Sequence, residues 1–152
     1  MSTDFPVKLN VHHVGIFVTD MDRSIQWYEE MLGYKLMFRA PFDLPHQGVV
    51  EMCWIKHQEH YIELYQYDTD QRPFNMGDYL GSLGTKHLSL WTTDEEFATL
   101  VTYLESKKAD FMVKHRWPEE QVGKPGGCGV IYIKDPDGIP IEIQEDFRAG
   151  EY

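Results

Sequence analysis

The chain has 152 residues with an apolar share of 42% and an aromatic share of 14%, enough for one compact core and too apolar for a disordered chain. A formal charge of −11, with no basic patch interleaved with aromatics, excludes nucleic acid as the expected partner and repels polyanions at long range. No apolar run approaches the roughly 18–20 residues that cross a bilayer, and the opening MSTDFPVKLN lacks the layout of a signal peptide, so the expected setting is the cytosol with no membrane partner.

In chain order, a β-rich run holds His13, and Asp20 follows that histidine by seven residues. Asp20 sits where a helix N-cap belongs, Ile25, Tyr28 and Leu32 mark one apolar stripe, and Gly33 is a natural C′ residue. The period then changes to two, which predicts strands over 34–40, 49–55 and 60–67. A turn around Pro45 and Gly48 and the polar stretch KHQE separate them. Residues 69–83 read as a linker.

The same order then returns. His87 lies in a second β-rich run, Asp94 follows it by seven residues as the expected cap, and Phe97, Leu100, Val101 and Leu104 form the stripe. Strands are expected over 111–115, 129–133 and 140–144, with KDPDG (134–138) as a tight turn. The chain thus reads as an α+β domain over 1–152 built from two tandem βαβββ modules, about 9–68 and about 84–146. Cys53 and Cys128 belong to no CxxC pair and read as reduced, apolar fillers.

Strand alternation sets the chemistry. His13 shares a face with Gly15 and Phe17, and His87 with Ser89 and Trp91. Glu63 lies between Tyr61 and Tyr65 on its own face, with Ile62 and Leu64 opposite, and Glu142 stands between Ile141 and Ile143. A glutamate in such a strand is costly unless a cation or hydrogen-bond donors meet it. Each half offers one histidine from its first strand and one glutamate from its last. Approximate two-fold symmetry would bring His13, Glu63, His87 and Glu142 around one divalent ion in a curved mixed-sheet cup. Two imidazoles and two carboxylates suit zinc, nickel, cobalt, manganese or iron. Phe17, Trp54, Tyr61, Tyr65 and Trp91 fit a substrate pocket and ordinary packing equally well. Alternation turns His12 away from His13, and His46, His57, His60 and His115 carry no assigned role.

The segments HVGIFVTDMDRSIQWYEEMLGYKL, YIELYQY, TKHLSLWTTD and GGCGVIYIKDPDGIPIEIQ resemble the vicinal oxygen chelate superfamily. That superfamily includes glyoxalase I, methylmalonyl-CoA epimerase, extradiol dioxygenases and fosfomycin- or bleomycin-resistance proteins. The resemblance runs from about Val11 to Gln144 and implies the same four ligands. The stretch HQGVVEM is similar to one in methylmalonyl-CoA epimerases and implies Glu51 as a proton-transfer residue, with Glu142 serving the opposite face. The implied reaction is epimerase, racemase or isomerase chemistry, in which a carboxylate removes the proton α to a carbonyl polarised by the ion.

Some positions depart from each relative. Those epimerases carry glutamine where this chain has Glu63, as glyoxalase I does. The glyoxalase arginine for glutathione is replaced by Phe17, and its asparagine after the second ligand by Tyr65 and Gln66. A glyoxalase I-like lactoylglutathione lyase and a non-catalytic drug-binding resistance protein are the alternatives. Glu63 and the short chain argue against an extradiol dioxygenase. The expected partners are a small carbonyl or thioester substrate and, by the resemblance, a second copy of the chain in a homodimer.

Overall fold

A computed structural model describes residues 10–44, 48–67, 84–117 and 128–146. The first module runs β1 (His13–Phe17), α1 (Met21–Leu32), β2 (Lys35–Leu44), β3 (Gly48–His57) and β4 (His60–Tyr67). The second runs β5 (Leu88–Thr92), α2 (Asp94–Ser106), β6 (Asp110–Trp117), β7 (Cys128–Lys134) and β8 (Pro140–Glu145). The expected linker at 69–83 and the turn residues Pro45 and His46 lie outside the described residues. Each module folds into a four-stranded mixed sheet, ordered β1-β4-β3-β2 and β5-β8-β7-β6. In each, the outer strand before the helix lies parallel to the last strand of its module. This is the expected two-module α+β fold, as two open sheets among the described residues rather than a closed barrel.

Helix α1 starts and stops where local chemistry dictates. Asp20 has an extended backbone and its carboxylate accepts the Arg23 N–H at 3.0 Å, while Gly33 ends the helix at φ +71°. Helix α2 differs from expectation by one residue. Thr93, not Asp94, is the cap, and Asp94 is the first helical residue. The reason is a local pair, Thr93-x-x-Glu96: the Glu96 N–H donates to the Thr93 hydroxyl at 3.3 Å, and the Glu96 carboxylate accepts the Thr93 hydroxyl at 2.9 Å.

The helix-facing sides of both sheets join in one core. Ile16, Cys53, Ile55, Ile62 and Leu64 meet Ile131, Ile133, Ile141 and Ile143 through Met21 and Tyr28 of α1 and Phe97 and Leu104 of α2. Gly129 is required in β7 because a Cβ there would approach the Phe97 ring to 2.6 Å. The β7–β8 turn fastens the modules together. Asp137 accepts the Thr19 N–H at 3.0 Å, the Thr19 hydroxyl, and the Arg23 guanidinium at 2.9 Å. Buried Asp135 accepts the Tyr28 hydroxyl at 3.2 Å and the N–H groups of Asp137 and Ile139 at 2.9 and 2.8 Å. Burial, the largest effect, outweighs those donors and pushes the Asp135 carboxyl up to about 6.

Two predictions follow from this packing. Gly129→Ala is expected to destabilise the chain by roughly 1–3 kcal/mol through overpacking against Phe97, as read from urea unfolding. The folded chain holds the Asp135 proton between about pH 4 and about pH 6, where the unfolded chain has released it. Stability from this group is therefore fully present near pH 4 and declines by roughly 2–3 kcal/mol as pH rises through 6. Chemical denaturation across that window should show this slope, and Asp135→Asn should remove it.

Candidate functional site

Sheet register decides which side chains share a face. His13 lies beside Tyr61, Gly15 beside Glu63 and Phe17 beside Tyr65. On the other flank of β4, Trp54 stands opposite Glu63 and Met52 opposite Tyr65. This face is the one turned away from the core residues Ile62 and Leu64. The second module repeats it: Ser89 pairs with Glu142, Trp91 with Gln144, and Tyr132 with Glu142 across β7 and β8. Gly15 and Ser89 therefore correspond, as do His13 and His87, and as do Trp54 and Tyr132.

The two modules build the same small polar centre. In the first, His13 Nε2 lies 3.2 Å from Glu63 Oε2. Glu63 is buried, and its Oε1 accepts the Trp54 indole N–H at 2.9 Å while Oε2 accepts the Tyr65 hydroxyl. Desolvation first, then the bond to Glu63, pushes the Tyr65 phenol up to about 12, so it remains a donor at neutral pH. The His13 ring packs against Trp54 with centroids 4.8 Å apart. In the second, His87 Nε2 lies 3.3 Å from Glu142 Oε2, Tyr132 donates its hydroxyl to Glu142 Oε1, and the His87 and Tyr132 rings meet edge to face at 5.3 Å.

These spacings bear on metal binding. Two ligand atoms each held about 2.0–2.2 Å from one ion, at angles between octahedral and tetrahedral, lie roughly 2.8–3.6 Å apart. Both His–Glu pairs fall in that range, and neutral imidazole with carboxylate is a donor set for borderline divalent ions. Each pair therefore fits two ligands of one ion. The four side chains stand as two pairs: among the described residues no group of three or more His, Cys, Asp or Glu is gathered as a metal centre.

Glu51 is not brought to either pair. It stands opposite Gln66 on β4 and Pro41 on β2, on the same face of β3 as buried Cys53, and so on the side of the sheet away from Glu63. Arg39 takes it in a two-pronged ion pair, with Nη2 at 2.9 Å from Glu51 Oε2, and the same guanidinium reaches Asp22 of α1. Parity is the cause, since Glu63 faces an even-numbered residue of β3 and Glu51 is odd. Burial pushes the Cys53 thiol up to about 11, which keeps it protonated, as expected for a filler.

His12 differs from expectation. It precedes the first paired residue of β1, so strand alternation does not reach it, and its Nδ1 lies 3.0 Å from His13 Nδ1. Tyr132 was not singled out by sequence reasoning either. The signal that would have found it is its place directly across from the glutamate, where the first module also puts an aromatic with a polar hydrogen.

Comparison with known proteins agrees with this architecture. The profile of the Glyoxalase/Bleomycin resistance protein/Dioxygenase superfamily matches residues 10–143. The uncharacterised protein YwbC of Bacillus subtilis is 33% identical over 136 residues, covering 88% of this chain and 94% of YwbC. A lactoylglutathione lyase from Agrobacterium tumefaciens has a similar fold, with TM-score 0.62 and 20% identity over 93% of this chain and 97% of that one. The fosfomycin resistance protein FosX of Listeria monocytogenes, solved with Mn(II) and sulfate, superposes with TM-score 0.62 and 12% identity over 95% of this chain and all of that one (100%). Doubled βαβββ modules, a matched His–Glu pair in each, and a profile match across nearly the whole chain lead to one assignment: the chain belongs to the glyoxalase/bleomycin resistance protein/dioxygenase superfamily, the vicinal oxygen chelate proteins.

Proposed function

We propose that the chain is a metal-dependent enzyme that moves a proton on the carbon next to a carbonyl, in the manner of an isomerase or epimerase. Its substrate would be a small carbonyl compound or thioester. The observation that carries this reading is the repeated pair, a histidine Nε2 held 3.2 or 3.3 Å from a glutamate oxygen in each module. His13, Glu63, His87 and Glu142 would hold one divalent ion, drawn from zinc, nickel, cobalt, manganese and iron. When bound, such an ion polarises a carbonyl and offsets several kcal/mol of the charge developing on its oxygen.

The chain's own residues would do the rest. Trp54, Tyr65 and Tyr132 fix the glutamate oxygens by donating to them, which sets their direction before substrate arrives. Glu142 stands between the small Ser89 of β5 and Tyr132 of β7, and it is the proposed proton-transfer group. Glu51, across the sheet and tied through Arg39 to Asp22, would instead secure α1. Phe17 and Trp91, 42% and 47% exposed on the faces of His13 and His87, would wall the substrate from water. The same open apolar surface suits a second copy of the chain, and a homodimer is part of this proposal.

A lyase of the lactoylglutathione type is the second reading. It is favoured by Glu63, a carboxylate met by two donors at the position where the epimerases carry an amide.

The test begins with metal content and continues with α-deuteration in D₂O of a panel of α-chiral thioesters and ketones. Stoichiometric metal is expected in the wild type, and its loss in His13→Ala and His87→Ala. Exchange should require the metal and fall by about 10²–10⁴-fold in Glu142→Gln. Exchange retained in Glu51→Gln is expected; a sharp drop there would return Glu51 to the mechanism. Turnover of the methylglyoxal–glutathione adduct without exchange on the panel would decide for the lyase. A chain that holds no metal and binds cationic drugs would instead be a sequestering protein.

A further inference from the structure

The two modules correspond strand by strand, yet they differ in the side chains around the glutamate. Across the first sheet, Phe38 stands opposite Trp54, Trp54 opposite Glu63, and Gly15 beside Glu63. Across the second, the same row reads Val113, Tyr132, Glu142 and Ser89. Two residues before and after the glutamate, Tyr61 and Tyr65 of β4 correspond to Pro140 and Gln144 of β8. Three aromatic positions of the first module are therefore non-aromatic in the second.

The extra rings form a connected surface. Those of Phe38 and Trp54 are nearly parallel, with 16° between their planes and centroids 6.1 Å apart. Trp54 meets Tyr61 at 5.8 Å and the His13 ring at 4.8 Å. Phe38 is 50% exposed and Trp54 is half-buried, so both keep surface open to a ligand. Phe38 lies on the edge strand β2 and has no place in the buried core, so its ring is not explained by packing of the fold.

Trp54 joins this apolar strip to the polar centre. Its indole N–H donates to Glu63 at 2.9 Å while its ring adjoins Phe38. Small-molecule sites have this make-up, aromatic walls with a few placed polar groups. A continuous apolar face of another protein laid over the same strip would take the remaining water from the Glu63 carboxylate, at a cost in free energy. A small molecule with a ring at one end and a polar group at the other suits both parts. We propose that the first module carries a subsite for an aromatic ring, and that the substrate is an aryl-bearing carbonyl compound. Its ring would lie against Phe38 and Trp54 with its carbonyl toward the His13–Glu63 pair. Phe38 is the residue that sets this preference. The substrate class rests on the reading under "Proposed function".

The test titrates phenylacetone and cyclohexylacetone into the full chain, followed by ligand-observed NMR. The two ketones share their carbonyl chain and nearly the same ring size, and differ in whether the ring is planar and aromatic. Phenylacetone should bind about tenfold more tightly, since aromatic pairs are favoured beyond the area they bury. Phe38→Leu, which stays apolar, should cut that preference by about 2–10-fold. Phe38→Tyr should keep it, and Val113→Ala, at the matching place in the second module, should leave it unchanged. Equal binding of the two ketones by the wild type overturns the subsite, as does an unaltered preference in folded Phe38→Leu. A Phe38→Leu chain that changes its oligomeric state while keeping the preference assigns the strip to a second copy and overturns the subsite too. Deuteration of both ketones in D₂O separates the two proposals. A ring preference in binding with no metal-dependent exchange supports the subsite and removes the proton-transfer chemistry. Metal-dependent exchange at equal rates, with equal binding, keeps the chemistry and removes the subsite.

Discussion

Glu63 is 8% exposed in the middle of β4, and its carboxylate accepts from an indole and a phenol, with His13 Nε2 3.2 Å from Oε2. A carboxylate taken out of water loses hydration worth several kcal/mol, and donors fixed in the protein must replace it. The surrounding face is organised by that need. Trp54 comes from the strand paired with β4 on one side and His13 from the strand on the other, while Tyr65 sits two residues along the same strand, so these side chains reach Glu63 through strand geometry and sheet register. Gly15 stands beside Glu63, and a Cβ there would lie 3.4 Å from the Tyr65 ring, in van der Waals contact with it.

In the second module the Glu142 carboxylate accepts the Tyr132 hydroxyl, with His87 Nε2 at 3.3 Å. Each centre is a product of its own module, since all of its residues come from adjacent strands of one sheet. What joins the modules lies on the opposite side, where the two sets of isoleucines, leucines and helix residues share one core. The turn at Asp135 and Asp137 adds direction to that apolar contact. Tyr28, Thr19 and Arg23 of the first module all donate to it, and hydrogen bonds, unlike hydrophobic contact, fix orientation. A turn that served only chain reversal in the sequence thereby holds α1 against the second sheet.

Much of this was legible beforehand because duplication is visible as repetition. A histidine followed seven residues later by a cap aspartate, twice, marked the strand-to-helix entries, and the change of period marked the sheets. Glu63 and Glu142 stood out because a charge flanked by apolar residues in a strand is expensive. The second helix cap moved by one residue, since Thr93 forms a reciprocal pair with Glu96 that outcompetes a plain aspartate cap. Glu51 was drawn to the site by likeness of a short stretch, and strand parity with Glu63 puts it on the other face. That parity depends on which residues of β3 and β4 face one another, and register across a turn is not written in either strand.

By itself the sequence determined the number and order of the elements, the His–Glu content of each half and the apolar sides of the helices, because those follow from local periodicity and capping chemistry. Only the tertiary structure decided which aromatics donate to the glutamates, that His12 meets His13, that Glu51 pairs with Arg39, and that the KDPDG turn clamps α1. Each of these depends on which strand lies beside which and in what register, a choice made by the burial of the whole core and not by any one segment.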